Sequence, residues 1–336
     1  MVPGGDENRM PAFRRNLSLE DLLRRVNSLL ACSEQAALEQ YSGGKDEFPI
    51  VFLMGPLRSG TTLFMQWLAS TGIVAYPTNL LSRFFGAPVI GAQIQLLLTD
   101  PRYNFRNEIL DFDAAISFES ENGKTKGALA PNEFWYFWRR FLPFKELDWL
   151  PDEELFRVVD RPKLVAELTA LTRVFGKPLA LKSMILNYNI CFLDAIFRKA
   201  LFVHLKRDPV TNVASILEAR RRQHGSEKAW YSFKIPEYPR LKDLSPVAQA
   251  AGQVHYINRG VTRGLAKVAA ARKLVVEYEA FCLSPHTVFD ELVRKLGISQ
   301  VSGYVGPSQF RSNREVDVAQ RAAIEDALTE FERQPG

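Results

Sequence analysis

Cysteine and histidine are scarce in this sequence. The three cysteines, Cys32, Cys191 and Cys282, stand far apart and in odd number. That excludes a disulfide framework and points to a reducing compartment. Neither they nor the four histidines show metal-ligand spacing, so no metal site is read. Long apolar runs are also missing. The longest, such as Ile50 to Leu57, are far too short to span a bilayer. The opening stretch MVPGGDENRMPAFRRN lacks the basic-then-apolar layout of a signal peptide. A cytoplasmic location is expected. The formal net charge is only +5, and the basic residues are spread along the chain rather than clustered. Nucleic acid is therefore not implied as a partner, whereas a small polyanion suits this balance.

What is present is an ordinary globular composition, with 46% hydrophobic and 24% charged residues in 336. Residues 1–16 read as a disordered N-terminus, and 17–336 as a single domain with its core at about 48–300. The stretch 17–44 has apolar residues at helical spacing and ends at Gly43 and Gly44, which predicts one or two helices on the outside. Strand, turn and helix follow from Pro49 to Gly72. Residues 73 to about 150 are less regular. A second βα series begins at Lys177. PLALKS and ALFVHLKRD read as buried strands, NICFLDAIFRK and PVTNVASILEARRRQ as helices, and 224–245 as an aromatic loop. A long helix over 246–272 comes next, then a strand over 273–281 and helices over 284–298 and 314–334. Apolar strands alternating with helices predict an α/β fold: a P-loop-like parallel sheet flanked by helices on both faces.

The turn after the first strand carries the chemistry. Gly55 to Thr62 spell G-P-L-R-S-G-T-T, which keeps the spacing of G-x-x-x-x-G-K-[ST] but puts Thr61 where the lysine belongs. Gly60 permits a sharp turn, successive N–H groups point inward, and the helix N-terminus adds partial positive charge. Arg58 supplies a fixed charge, and Ser59, Thr61 and Thr62 supply hydroxyls. The missing lysine is the group that reaches β- and γ-phosphates, so a nucleotide without a γ-phosphate is indicated.

PLRSGTT after an apolar strand resembles the 5′-phosphosulfate loop of sulfotransferases that use 3′-phosphoadenosine 5′-phosphosulfate (PAPS). LFVHLKRDPVTNVAS is similar to their second signature, a strand-terminal arginine with a serine eight positions later, here Arg207 and Ser215. VVEYEAF is similar to their third, which would set Tyr278 against the adenine. The three motifs occur in the family's order between residue 49 and about 297. The glycine-rich C-terminal loop of the cytosolic animal enzymes is absent, and Leu63 stands where they have an aromatic. The chain therefore looks closer to the bacterial and carbohydrate-acting branches. The resemblance implies the sulfotransferase fold, PAPS as donor and a hydroxyl-bearing glycan, lipid or small molecule as acceptor, with no metal. Arg58, Ser59, Gly60, Thr61, Thr62, Arg207, Ser215 and Tyr278 would form the donor site.

The residues alone agree in part. An arginine ending a strand on the carboxyl edge of an open sheet sits where ligands bind, and its planar fork suits phosphate. Taken singly, Arg207 would instead pair with Asp208, and Ser215 would be a polar helix position. For catalysis, sulfuryl transfer needs cationic positioning and a base. Arg58 and Lys182 are the candidate cations. Lys182 follows PLAL in a stretch similar to the family's K-[ST]-P, with Met184 in place of proline. Glu133 is the candidate base, at a predicted helix start among Trp135, Tyr136, Phe137 and Trp138. The alternative is that Asn132 caps this helix and Glu133 complements its dipole. The four aromatics read equally as an acceptor platform or as core. His204, inside an apolar strand, reads as core. His255, or a glutamate near Glu119, stands next in line as base. Two rival functions remain at this stage: a P-loop kinase-like phosphotransferase, and a non-catalytic nucleotide binder of the same fold.

Overall fold

The computed structural model describes residues 10, 16–41, 48–104, 106, 108, 116–118, 120–121, 124–143, 148–299, 303–312 and 315–333. Apart from Met10 and Asn16, the stretch expected to be disordered lies outside these. The first helix, α1, is a single helix over Leu17–Gln40, and Asn16 Oδ1 caps it by accepting from the Leu19 N–H at 3.0 Å. Strand β1 is Ile50–Met54, and α2 is Thr61–Ser70. Helix α3 (Pro88–Thr99), a two-residue ribbon of β2 (Ser120–Glu121) and β3 (Lys124–Thr125), and α4 (Trp135–Phe141) occupy the irregular-looking region.

Helices α5 (Asp152–Val158) and α6 (Arg161–Phe175) fill a span that the sequence reading leaves unassigned. The start signal of α6 is nonetheless local: Asp160 caps it, and Pro162 sits in its first turn. The second series is β4 (Leu179–Lys182), α7 (Ile190–Ile196), β5 (Ala200–Lys206) and α8 (Pro209–His224). The expected aromatic loop also contains a one-turn helix, α9 (Tyr238–Leu241). Helix α10 is Pro246–Ala266, shorter than expected, and a 3₁₀ turn follows at Ala270–Arg272. Strand β6 (Lys273–Glu277) stops four residues early, because Tyr278 opens helix α11 (Tyr278–Leu283). Helices α12 (Pro285–Leu296) and α13 (Val318–Arg333) close the chain.

The main sheet has the order β4-β1-β5-β6, and every pairing is parallel. Its carboxyl ends therefore share one edge, where Leu53 pairs with Lys182, Met54 with His204 and Lys206 with Glu277. The pleat divides β1 between two cores. Ile50, Phe52 and Met54 join one, and Val51 and Leu53 join the other. Both faces are thus covered, as the apolar strands predict, except at β6, whose Val275 is exposed at the sheet's edge. Each large apolar side chain fully buried here contributes about 1.5–3 kcal/mol. No helix among the described residues is long and apolar enough to cross a membrane.

Helix α1 is joined to the body by polar clamps. Glu34 accepts from the N–H groups of Val89 and Ile90 at 2.8 and 3.0 Å, so it caps α3 from another element. Nearby, Arg140 makes a bidentate pair with the fully buried Glu167 at 2.7 and 2.8 Å. Burial is the main reason the Glu34 carboxyl is pushed up to about 7, against the opposing pull of the two backbone N–H groups.

Candidate active site

The loop between β1 and α2 is built by three unusual backbone positions. Gly55, Arg58 and Gly60 all have positive φ, at 139°, 61° and 92°. A Cβ on Gly55 would meet the Leu205 carbonyl oxygen at 2.5 Å, and one on Gly60 would strike the Tyr278 ring. Only glycine fits at either place. Arg58 is not glycine, and its left-handed conformation is held from outside the loop. Arg207 Nη1 donates to the Arg58 carbonyl oxygen at 2.9 Å, while Arg58 Nε donates to Ser215 Oγ at 3.2 Å. The two signatures therefore meet at Arg58.

Arg207 follows the end of β5, and its guanidinium lies 5.1 Å from the centre of the Tyr278 ring. Asp208, its expected surface partner, instead caps α8 by accepting from the Thr211 N–H at 2.9 Å. Among the described residues no ion pair joins Arg207 to Asp208. Tyr278 heads α11 rather than ending a strand, but it still lies at the sheet's carboxyl edge, over Gly60. Burial pushes its hydroxyl pKa up. Ser215 is buried in the second turn of α8, as its spacing predicts.

Among the described residues, two buried donors here, Ser59 Oγ and Arg207 Nε, and one buried acceptor, Asn212 Oδ1, have no hydrogen-bond partner. Such orphans are unusual in a settled interior. The two donors suit a site built for a ligand rich in acceptor oxygens. Among the described residues no cluster of three or more His, Cys, Asp or Glu side chains could hold a metal.

The second half of the site lies across β4. Lys182 is buried, and its Nζ donates to Glu133 Oε1 at 2.6 Å and to Thr62 Oγ1 at 3.1 Å. Trp135 Nε1 donates to the other carboxylate oxygen, Glu133 Oε2, at 3.0 Å. Thr61 Oγ1 contacts Met184 Sδ at 3.5 Å, so the residue replacing the family's proline still faces the loop.

Glu133 does not begin a helix. Helix α4 starts at Trp135, and Phe134 before it adopts φ 55°. Asn132 Oδ1 accepts from the Phe134 N–H at 2.8 Å, which fixes this turn. The dipole role considered for Glu133 is therefore replaced by an ion pair with Lys182. The aromatic cluster also divides. Phe137 and Trp138 are core, with Phe134 stacked on Phe137 at 4.5 Å. Tyr136 stacks on Phe85, and Trp135 donates to Glu133.

Of the fallback bases, His255 packs against Tyr256 and Phe331 on α10 and α13. Glu119 lies outside the described residues. His204 is core, as read, with its Nε2 3.0 Å from Asn258 Oδ1, and burial lowers its pKa to about 4.

Sequence reasoning missed two asparagines that brace the loop. Asn187 accepts from the Gly55 N–H at 2.9 Å and donates to its carbonyl oxygen at 2.8 Å. Asn212 donates to the Leu57 carbonyl oxygen at 2.8 Å. Asn212 lies between Arg207 and Ser215 on the same βα unit, which was its only local signal.

A parallel sheet with a glycine-built loop after its first strand and an arginine at the neighbouring strand end defines an α/β protein of P-loop-like fold. The family model for the sulfotransferase family matches residues 49–302, more than half of the chain. This chain belongs to that family. Similar solved structures include a sulfotransferase from Mycobacterium avium, 17% identical, TM-score 0.52, covering 97% of this chain and 79% of that one. Another is a sulfotransferase from Mycobacterium tuberculosis H37Rv, 15% identical, TM-score 0.48, covering 87% of this chain and 75% of that one. The first shares the fold. No curated protein sequence matches this one.

Proposed function

We propose that this chain transfers a sulfuryl group from PAPS to a hydroxyl acceptor. The observation that carries this reading is the meeting of both signatures at Arg58, whose side chain touches Ser215 and whose carbonyl takes Arg207. Loop N–H groups, Arg58, Ser59, Thr61 and Thr62 would hold the 5′-phosphosulfate. Arg207 and Ser215 would hold the 3′-phosphate, and Tyr278 would lie against the base. The orphaned Ser59 Oγ and Arg207 Nε support this fit.

The donor supplies an electrophilic sulfur and a stable leaving group, 3′,5′-bisphosphoadenosine. The acceptor oxygen forms the new S–O bond as the bond to the donor phosphate breaks. Lys182 and Arg58 stabilise negative charge at the loop. Glu133 takes the acceptor's proton. Its two oxygens each receive one hydrogen bond, which leaves carboxylate lone pairs free for that proton. We also read 17–336 as one domain. Ile324, Leu328 and Phe331 of α13 lie in the core that lines one face of the sheet, which supports this.

Calorimetry tests the donor assignment. 3′,5′-Bisphosphoadenosine should bind more tightly than ATP, and turnover with PAPS should persist in EDTA. Tight binding of ATP alone would overturn the reading.

A further inference from the structure

The crevice beside Glu133 and Lys182 is walled by Trp135, Met184, Ile185 and Phe233. Resting on the transfer proposed above, we infer that the acceptor is an alcohol or phenol carried on an apolar body, aromatic or alkyl, rather than a sugar unit. Two observations lead there: how the wall is fixed, and how few polar atoms it offers.

Phe233 belongs to a loop, yet it is anchored from both sides. Its ring lies 5.6 Å from that of Trp135, and its carbonyl oxygen accepts from Trp230 Nε1 at 3.1 Å. Gln253 donates to the Tyr231 carbonyl oxygen at 3.0 Å and accepts from the fully buried Arg220 at 2.9 Å. Arg220 lies on α8, the helix that carries Ser215. The aromatic wall is thus tethered to the element that holds the donor loop.

The side-chain polar atoms of that wall are few, and most are already engaged; Glu133 keeps carboxylate lone pairs for the attacking hydroxyl. Lys182 serves Glu133 and Thr62, and Trp135 serves Glu133. Trp138 Nε1, on a residue that also lines the crevice, is buried with no partner, so it and the third N–H of Lys182 are the spare side-chain donors of the described lining residues. A pyranose brings several hydroxyls besides the one that attacks. Each one buried here without a partner costs about ten-fold in affinity. An apolar body loses nothing polar and gains contact with two rings, a thioether and an alkyl chain. In the transfer its single hydroxyl gives its proton to Glu133 and its oxygen to sulfur.

The test uses the full chain with PAPS and three probes: 2-naphthol, 1-octanol and methyl β-glucoside. At least one apolar probe should show kcat/KM ten-fold or more above the glucoside. Phe233→Ala should raise the KM of that probe about five-fold or more, with kcat and 3′,5′-bisphosphoadenosine affinity unchanged, and Phe233→Leu should recover most of the loss. Equal or better use of the glucoside overturns the inference. So does an unchanged KM in Phe233→Ala, or failure of both apolar probes to react or bind while 3′,5′-bisphosphoadenosine binds. Those outcomes leave the donor assignment standing. Failure of the nucleotide itself to bind removes the donor assignment, and this inference with it.

Discussion

Arg58 and Ser215 are 157 residues apart in sequence, and the Arg58 Nε–H donates to Ser215 Oγ at 3.2 Å. The contact ties the loop after β1 to the helix after β5. These strands are neighbours and parallel, so their following turns open on the same edge. Both halves of the proposed donor site are thereby coupled, so a change in one half is felt in the other.

Arg207→Ala is expected to remove most of the preference for 3′,5′-bisphosphoadenosine over 5′-AMP. The loss should be about 1.5–3 kcal/mol, the range for a hydrogen bond to a charged group. Arg207 also holds the Arg58 carbonyl, so a smaller loss for 5′-AMP accompanies it. Calorimetry with both nucleotides reads the difference. Equal losses would place the 3′-phosphate elsewhere.

Glu133→Gln is expected to cut turnover by about 10²–10⁴ while nucleotide affinity holds. It should also lower stability, because buried Lys182 loses its counter-charge. The decrease should be about 1–2 kcal/mol, small because the Glu133 side chain is 33% exposed. Melting, binding and rate on this one variant check all three. Undiminished turnover would remove Glu133 from the chemistry.

Gly60→Ala is expected to abolish donor binding and destabilise the fold. The left-handed backbone alone costs about 1–3 kcal/mol for a non-glycine residue. The new methyl group also strikes the Tyr278 ring, which lies in a packed core. Pairing Gly60→Ala with Tyr278→Leu should recover part of the stability in urea unfolding. No recovery would show that backbone strain alone sets the effect.

Glu34 sets a pH dependence of stability. Its carboxyl moves from an ordinary 4.5 to about 7 on folding, mainly through burial. The folded state therefore holds the proton more tightly than the unfolded chain does. Stability from this group is complete below pH 4.5 and is lost as pH rises through 7. Glu167, Arg140, Arg24 and Lys163 surround the same cleft. Unfolding measured between these pH values should show the decline in the native chain and a flatter profile in Glu34→Gln. Identical slopes would assign the decline to other groups.

The sequence by itself determined what is local. The strand–loop–helix unit, the sharp turn at Gly60, and the eight-residue step from Arg207 to Ser215 follow from backbone sterics and helix geometry within a few residues. The same holds for the parallel class of the sheet, legible in uniformly apolar strands. Tertiary structure alone decided the rest. Lys182 meets Glu133 across 49 residues and Thr62 across 120, and Asn187 grips Gly55 across 132. No periodicity encodes such distances. Phe137 and Trp138 read equally as platform or core, and the start of α4 at Trp135 decides it by turning them into the core and leaving Trp135 beside Glu133. That start depends on Phe134 entering a left-handed turn held by Asn132 and by its own stacking on Phe137. A conformation so costly alone forms only where surrounding packing compensates for it, and that packing comes from the folded chain.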